Sequence, residues 1–86
     1  MPELCRFYGI IIRMFWRDHP PPHFHAIYGS HEAQVEILTS EIIEGWLPLG
    51  AHSLVSQWVS LHREELLVAW ERARAFEPIG KIEPLP

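Results

Sequence analysis

The chain is nearly devoid of cysteine. Cys5 is the single one among 86 residues, so no intrachain disulfide can form and nothing points to an oxidising compartment. No apolar run approaches the ~20 residues that a helix needs to cross a bilayer. The opening residues, Met1-Pro2-Glu3-Leu4-Cys5-Arg6, hold no basic stretch followed by an apolar one, so no secretory leader is expected. These absences together give the expectation of a cytoplasmic protein with no membrane partner. Basic charge is also scarce. Seven Lys and Arg face eleven Asp and Glu, for a net charge of −4, which argues against free nucleic acid as a partner because phosphate binding needs concentrated cations. A chain this short has material for one domain, 1–86.

What the sequence does contain changes character once, near Pro48. Residues before it read as strands and residues after it as helix, the pattern of an α+β domain. The stretch 5–16, CRFYGIIIRMFW, is rich in β-branched and aromatic residues and predicts a long first strand, with Gly9 marking a bend or bulge. Arg17-Asp18-His19 and three prolines then interrupt pairing, since proline has no amide donor. Strands are expected at 23–28 and 31–38, joined by a hairpin turn at Gly29-Ser30. In the last of these, Ala33, Val35 and Ile37 alternate with Glu32, Gln34 and Glu36, which indicates one buried face and one wet face. A turn and a short extended piece should follow over 39–47. The expected sheet is antiparallel with three or four strands.

A helical region is expected over 48–76, with Pro48 in the first turn. Ala51, Leu54, Val55, Trp58, His62, Leu66, Trp70 and Ala73 recur at three- or four-residue steps and form one apolar face. A straight helix of that span would be about 42 Å long, more than the ~30 Å breadth of so small a domain. One or two helices are therefore expected, with a break near Leu61-His62. The proline-containing tail, 77–86, should lie extended at an edge.

The hairpin register carries the functional argument. A three-residue loop would turn His23 and His25 inward against Val35 and Ile37, but the alternation favours a two-residue loop, which pairs Tyr28 with His31, Ala26 with Ala33 and Phe24 with Val35 on the core face. His23 and His25 then share the opposite face, beside Glu36 and Gln34. Two imidazoles two residues apart on a strand lie about 6.5–7 Å apart along the chain, a frequent half of a metal site. Glu36 or His19 could add a third ligand for a divalent ion such as zinc. The same two histidines, His23 and His25, are the candidates for acid–base catalysis on a phosphoester, with Arg13 or Arg17 to hold the phosphate. Against both stands a plain polar strand face with no chemistry. Trp58 and Trp70 on the helix and Trp46 in the irregular segment are candidates for an interaction surface.

The segment Pro21-Pro22-His23-Phe24-His25, set between an aromatic-rich strand and a glycine hairpin, resembles the bacterial domain of unknown function 4160 family. So do Met1-Pro2-Glu3-Leu4, Gly9-Ile10-Ile11-Ile12-Arg13-Met14, Asp18-His19, Trp58, Leu61-His62-Arg63-Glu64-Glu65-Leu66-Leu67, Trp70 and Lys81-Ile82-Glu83-Pro84-Leu85. The resemblance implies a small bacterial protein without an assigned activity, encoded beside a partner of the domain of unknown function 2442 type in an arrangement like a toxin–antitoxin pair. The leading expectation is thus a non-enzymatic interaction module that binds such a partner or a second copy of itself. The alternative is a metal- or histidine-dependent enzyme acting on RNA or another phosphoester.

Overall fold

Backbone geometry at two residues decides the N-terminal half. Tyr8 (φ 50) and Gly9 (φ 81) both take left-handed dihedrals, the pair that a tight I′ hairpin turn requires. The stretch expected as one strand over 5–16 is therefore two, β1 (Glu3–Phe7) and β2 (Ile10–Arg13). Phe7 lies opposite Ile10 and Cys5 opposite Ile12. The reversal is hidden in sequence because tyrosine favours strands and rarely enters left-handed backbone.

The computed structural model describes residues 2–86. β3 (His23–Tyr28) and β4 (His31–Glu36) form the expected hairpin with the expected register: His23 faces Glu36, Phe24 faces Val35, His25 faces Gln34 and Tyr28 faces His31. A turn closed by the Ser40 amide on the Glu36 carbonyl (2.8 Å) leads into β5 (Ile42–Gly45). All pairings are antiparallel, in the order β1-β2-β3-β4-β5. The sheet has five strands instead of three or four. Gly45 fits because its φ is +83 and an added Cβ would lie 2.2 Å from the Glu32 carbonyl oxygen.

After Pro48, which flanks the first turn, α1 runs over Leu49–Arg74. His62 inside it has non-helical dihedrals (φ −128, ψ 20), so the break falls where the length argument required one. A straight helix of 26 residues would be about 39 Å long, and the longest dimension of the chain is 33 Å. The fold class is α+β, as expected: a sheet of five strands followed by one kinked helix.

The buried face of α1 presents Ala51, Val55, Trp58, Val59, Leu66, Ala69, Trp70 and Ala73 to Ile10, Ile12, Phe24, Ala26, Ala33 and Val35 in a single core. Trp58 packs against Phe7 and Phe24 with ring centroids 5.5 and 5.6 Å away. Its indole N–H donates to the Glu83 carbonyl at 2.8 Å. The tail lies extended beside β1, where the Ile82 amide donates to the Leu4 carbonyl at 3.1 Å. Burial pushes the Cys5 thiol up to about 12, with Glu3 adding to the rise, so this side chain serves as a small apolar residue rather than a nucleophile. Among the described residues no helix is long and apolar enough to cross a membrane.

Candidate metal centre

The loop between β2 and β3 is tied to the end of α1. The helix closes with Phe76 in left-handed backbone (φ 62), and the amides of Phe76 and Glu77 donate back to the carbonyls of Ala73 (3.2 Å) and Arg72 (2.9 Å). That is a Schellman closure with phenylalanine in the place usually taken by glycine. Two bonds then fasten the loop to it. The Arg17 amide donates to the Ala73 carbonyl at 3.2 Å, and the Trp16 indole donates to the Glu77 carbonyl at 3.0 Å. Arg17 is itself left-handed (φ 54). Backbone of this kind persists only where surrounding contacts enforce it. The bend turns Asp18 toward the start of β3.

Asp18 meets both histidines of the strand. Its Oδ2 lies 3.0 Å from His23 Nε2 and 3.0 Å from His25 Nε2, while Oδ1 accepts the His19 amide at 2.9 Å. The outer nitrogens are held as well. His23 Nδ1 lies 2.7 Å from the Pro21 carbonyl and His25 Nδ1 lies 3.1 Å from Glu32 Oε2. A carbonyl and a carboxylate can only accept, so each Nδ1 carries the proton. The Asp18 carboxylate is likewise an acceptor only, so its contacts with both Nε2 atoms ask for a cation there, either a ring proton or one metal ion in its place. For Asp18, burial raises the carboxyl, but the His25 hydrogen bond, the His19 amide and the charges of His23 and His25 outweigh it and hold it below the usual range.

Two ring nitrogens and one carboxylate oxygen brought together call for positive charge. Two imidazolium rings could supply it. Their centroids are only 5.4 Å apart, however, and both rings are buried, at 1% and 6% exposure. Two like charges so close repel one another, and the Asp18 and Glu32 carboxylates offset only part of that cost. One divalent cation satisfies all three atoms together, and Asp18, His23 and His25 form a group able to hold one, with ligand atoms within 4.8 Å of one another. Tetrahedral zinc, with bonds of about 2.0–2.1 Å, sets its ligand atoms roughly 3.3 Å apart, close to the 3.0 Å from Asp18 Oδ2 to each Nε2. Imidazole donors backed by a carbonyl or carboxylate at the second nitrogen are the usual outer support of metal-bound histidine.

The sequence expects His23 and His25 on a wet face, and this is corrected. The register stands, but the 14–22 loop covers the face. Phe15 meets the His25 ring edge-on at 4.2 Å, His19 stacks on His23 at 4.8 Å, and Trp70 lies 5.3 Å from His23. Neither third ligand named from sequence joins the group. Glu36 accepts the Thr39 hydroxyl at 2.9 Å, and His19 turns its Nδ1 to the Pro20 carbonyl at 3.2 Å. Asp18 takes that place, and Glu32, diagonal to His25 across the hairpin, supports the ring. The signal for Asp18 was a carboxylate five and seven residues ahead of the two histidines, across a proline-stiffened loop. Arg13 pairs with His25 across β2 and β3. Gln34, opposite His25 in β4, has a buried Oε1 without a hydrogen-bond partner among the described residues. Of the tryptophans expected at an interaction surface, Trp58 and Trp70 are in the core, and Trp46 is 58% exposed.

Residues 9–71 match the family described as Domain of unknown function (DUF4160). No curated protein and no solved structure matches the chain significantly. With most of its length inside the match, the chain belongs to this family.

Proposed function

We propose that this DUF4160 protein is a divalent-metal protein whose centre, Asp18, His23 and His25, is of the hydrolytic kind. The observation that carries the reading is the approach of both Nε2 atoms to one oxygen of Asp18, 3.0 Å each, with both Nδ1 atoms committed elsewhere. Structural zinc sites are closed by four protein ligands, whereas hydrolytic sites use three and leave a position for water. This group has three. Imidazole and carboxylate donors suit zinc and neighbouring first-row ions. Such an ion supplies a hydroxide near neutral pH and polarises an ester oxygen. Metal-free acid–base catalysis by the same histidines is the weaker account, because both Nε2 atoms are tied to one oxygen and the His23 side chain is fully buried.

The test is zinc titration of the untagged protein by calorimetry. One site per chain is expected, weakened at least about 100-fold in Asp18→Asn and His25→Ala, since each removes one of three ligands. Far-UV circular dichroism checks that the variants keep their fold. Wild type that takes up no first-row ion, or variants that bind as wild type does, would defeat the proposal.

A second reading, an interaction module paired with a co-encoded small protein or with itself, is supported by a different part of the surface. β5 is an edge strand, and Ile43, Trp46 and Leu49 are exposed beside it. Such a strand with apolar neighbours can accept another strand. Light scattering that finds a strict monomer, unchanged by the co-encoded protein, would count against it.

A further inference from the structure

Asp18 belongs to two features at once. Its carboxylate meets His23 and His25, and it also lines a cleft of about 320 Å³ with Arg17, Pro20, Trp70 and Arg74. We propose that this cleft seats a phosphate group and that the ligand taken beside the metal centre is a small phosphate monoester, held by Arg17 and Arg74, with Asp18 the residue common to cleft and centre. The inference rests on the metal reading above and names the substrate class for it.

The charges of the cleft support an anion. Arg17 meets no carboxylate among the described residues; its guanidinium lies over the Phe76 ring, 5.1 Å from the centroid. Arg74 has one loose partner, Glu71 at 3.9 Å, with both side chains largely in solvent. Two guanidinium groups and a divalent ion, less the carboxylates of Asp18, Glu71 and Glu32, still leave a net positive charge that favours phosphate. Planar guanidinium groups also match phosphate oxygens in pairs.

The end of a helix ordinarily repels anions, because its last carbonyls carry partial negative charge. Here two of those carbonyls are occupied by bonds from beyond the helix. Ala73 accepts from Phe76 and Arg17, and Arg72 accepts from Glu77. The left-handed bend at Arg17 (φ 54) sets its side chain and that of Asp18 on adjoining positions of one rigid loop. A cleft near the lower end of the ~300–1,000 Å³ range of small-molecule sites suits a phosphate on a small alcohol better than a folded macromolecule. A divalent ion held by Asp18, His23 and His25 would supply activation of water; hydrolysis would then form a P–O bond from water, break the ester P–O bond and pass the water's proton to the leaving alcohol. No oxidant or reductant enters.

The experiment is a calorimetric titration of the full chain, loaded with one zinc, using inorganic phosphate as the probe. Arg17→Asn, chosen because asparagine tolerates left-handed backbone, and Arg74→Ala should each weaken phosphate binding about 10-fold or more. Arg17→Lys should restore part of the loss. Arg72→Ala, a charge control on the same helix turn, should leave phosphate binding unchanged, and zinc affinity should hold in all four. Phosphate that fails to bind, Arg17→Asn and Arg74→Ala that bind it as wild type does, or an equal loss in Arg72→Ala would each overturn the inference and leave the metal centre standing. If the chain takes up no zinc, the metal reading falls. The same titration on metal-free protein then decides the cleft: binding that Arg17→Asn weakens keeps it, and its absence removes it.

Discussion

Glu32 offers a way to separate a metal centre from a cluster of polar side chains. It touches no proposed metal ligand atom. Its carboxylate holds His25 through Nδ1 at 3.1 Å, which fixes the ring with Nε2 turned toward Asp18. In metal-bound histidines the loss of such a partner weakens affinity about 10–100-fold, equivalent to about 1.4–2.8 kcal/mol. The Glu32 side chain is 56% exposed, so its interaction with His25 is screened and should contribute at most about 1 kcal/mol to stability without metal. Glu32→Ala should therefore weaken zinc 10–100-fold, as read by competition with a chromophoric chelator, while metal-free unfolding in urea moves little. Glu32→Gln should fall between, because its amide oxygen still accepts the Nδ1 proton but lacks the charge. Glu36→Ala is the matched control, since Glu36 faces His23 in the register but bonds to Thr39. Equal zinc affinity in wild type and Glu32→Ala, or an equal loss in Glu36→Ala, would refute the reasoning.

Three further outcomes concern the frame that holds the site. Gly45→Ala should lower the melting temperature by roughly 10 °C, because left-handed backbone and the 2.2 Å approach to the Glu32 carbonyl together cost about 2 kcal/mol or more; a change within a degree would contradict it. Trp58→Phe leaves the Glu83 carbonyl without its indole donor at 2.8 Å and opens a void among Phe7 and Phe24, so a loss of about 2–3 kcal/mol is expected in urea unfolding. Cys5 gives a pH signature. Its folded value, about 12, is above the ~8.5 of an unfolded thiol. The stability that it contributes is fully present below roughly 8.5 and is lost as pH rises from there toward about 12. Alkaline unfolding curves should therefore fall less steeply in Cys5→Ala than in wild type, and equal slopes would refute the assignment.

The parts of this fold that follow local rules were legible in the sequence. The period-two alternation of residues 31–37 favours the observed β3–β4 register over a one-residue slip, which would turn His23 and His25 inward against Val35 and Ile37. The apolar stripe located α1, and chain length against domain breadth located its break at His62. What the sequence hid were contacts made at a distance. Tyr8 in left-handed backbone conceals the β1–β2 turn. The cover over His23 and His25 depends on Trp16 and Arg17 fastening a loop to a helix end some sixty residues away, and period-two reasoning counts only strand neighbours. Strand periodicity therefore gives no sign of Asp18 as a ligand and places Glu32 only on a wet face, although it stands one diagonal step from His25.

The central claim is that one metal ion is held by Asp18, His23 and His25. X-ray absorption at the zinc edge, on untagged protein loaded with one equivalent, tests it most directly. The account requires two imidazole nitrogens and light oxygen ligands at about 2.0–2.2 Å, with no sulfur at about 2.3 Å, and loss of one imidazole in His25→Ala. A zinc shell of oxygen alone, a sulfur ligand, or a spectrum that His25→Ala leaves unchanged would contradict it.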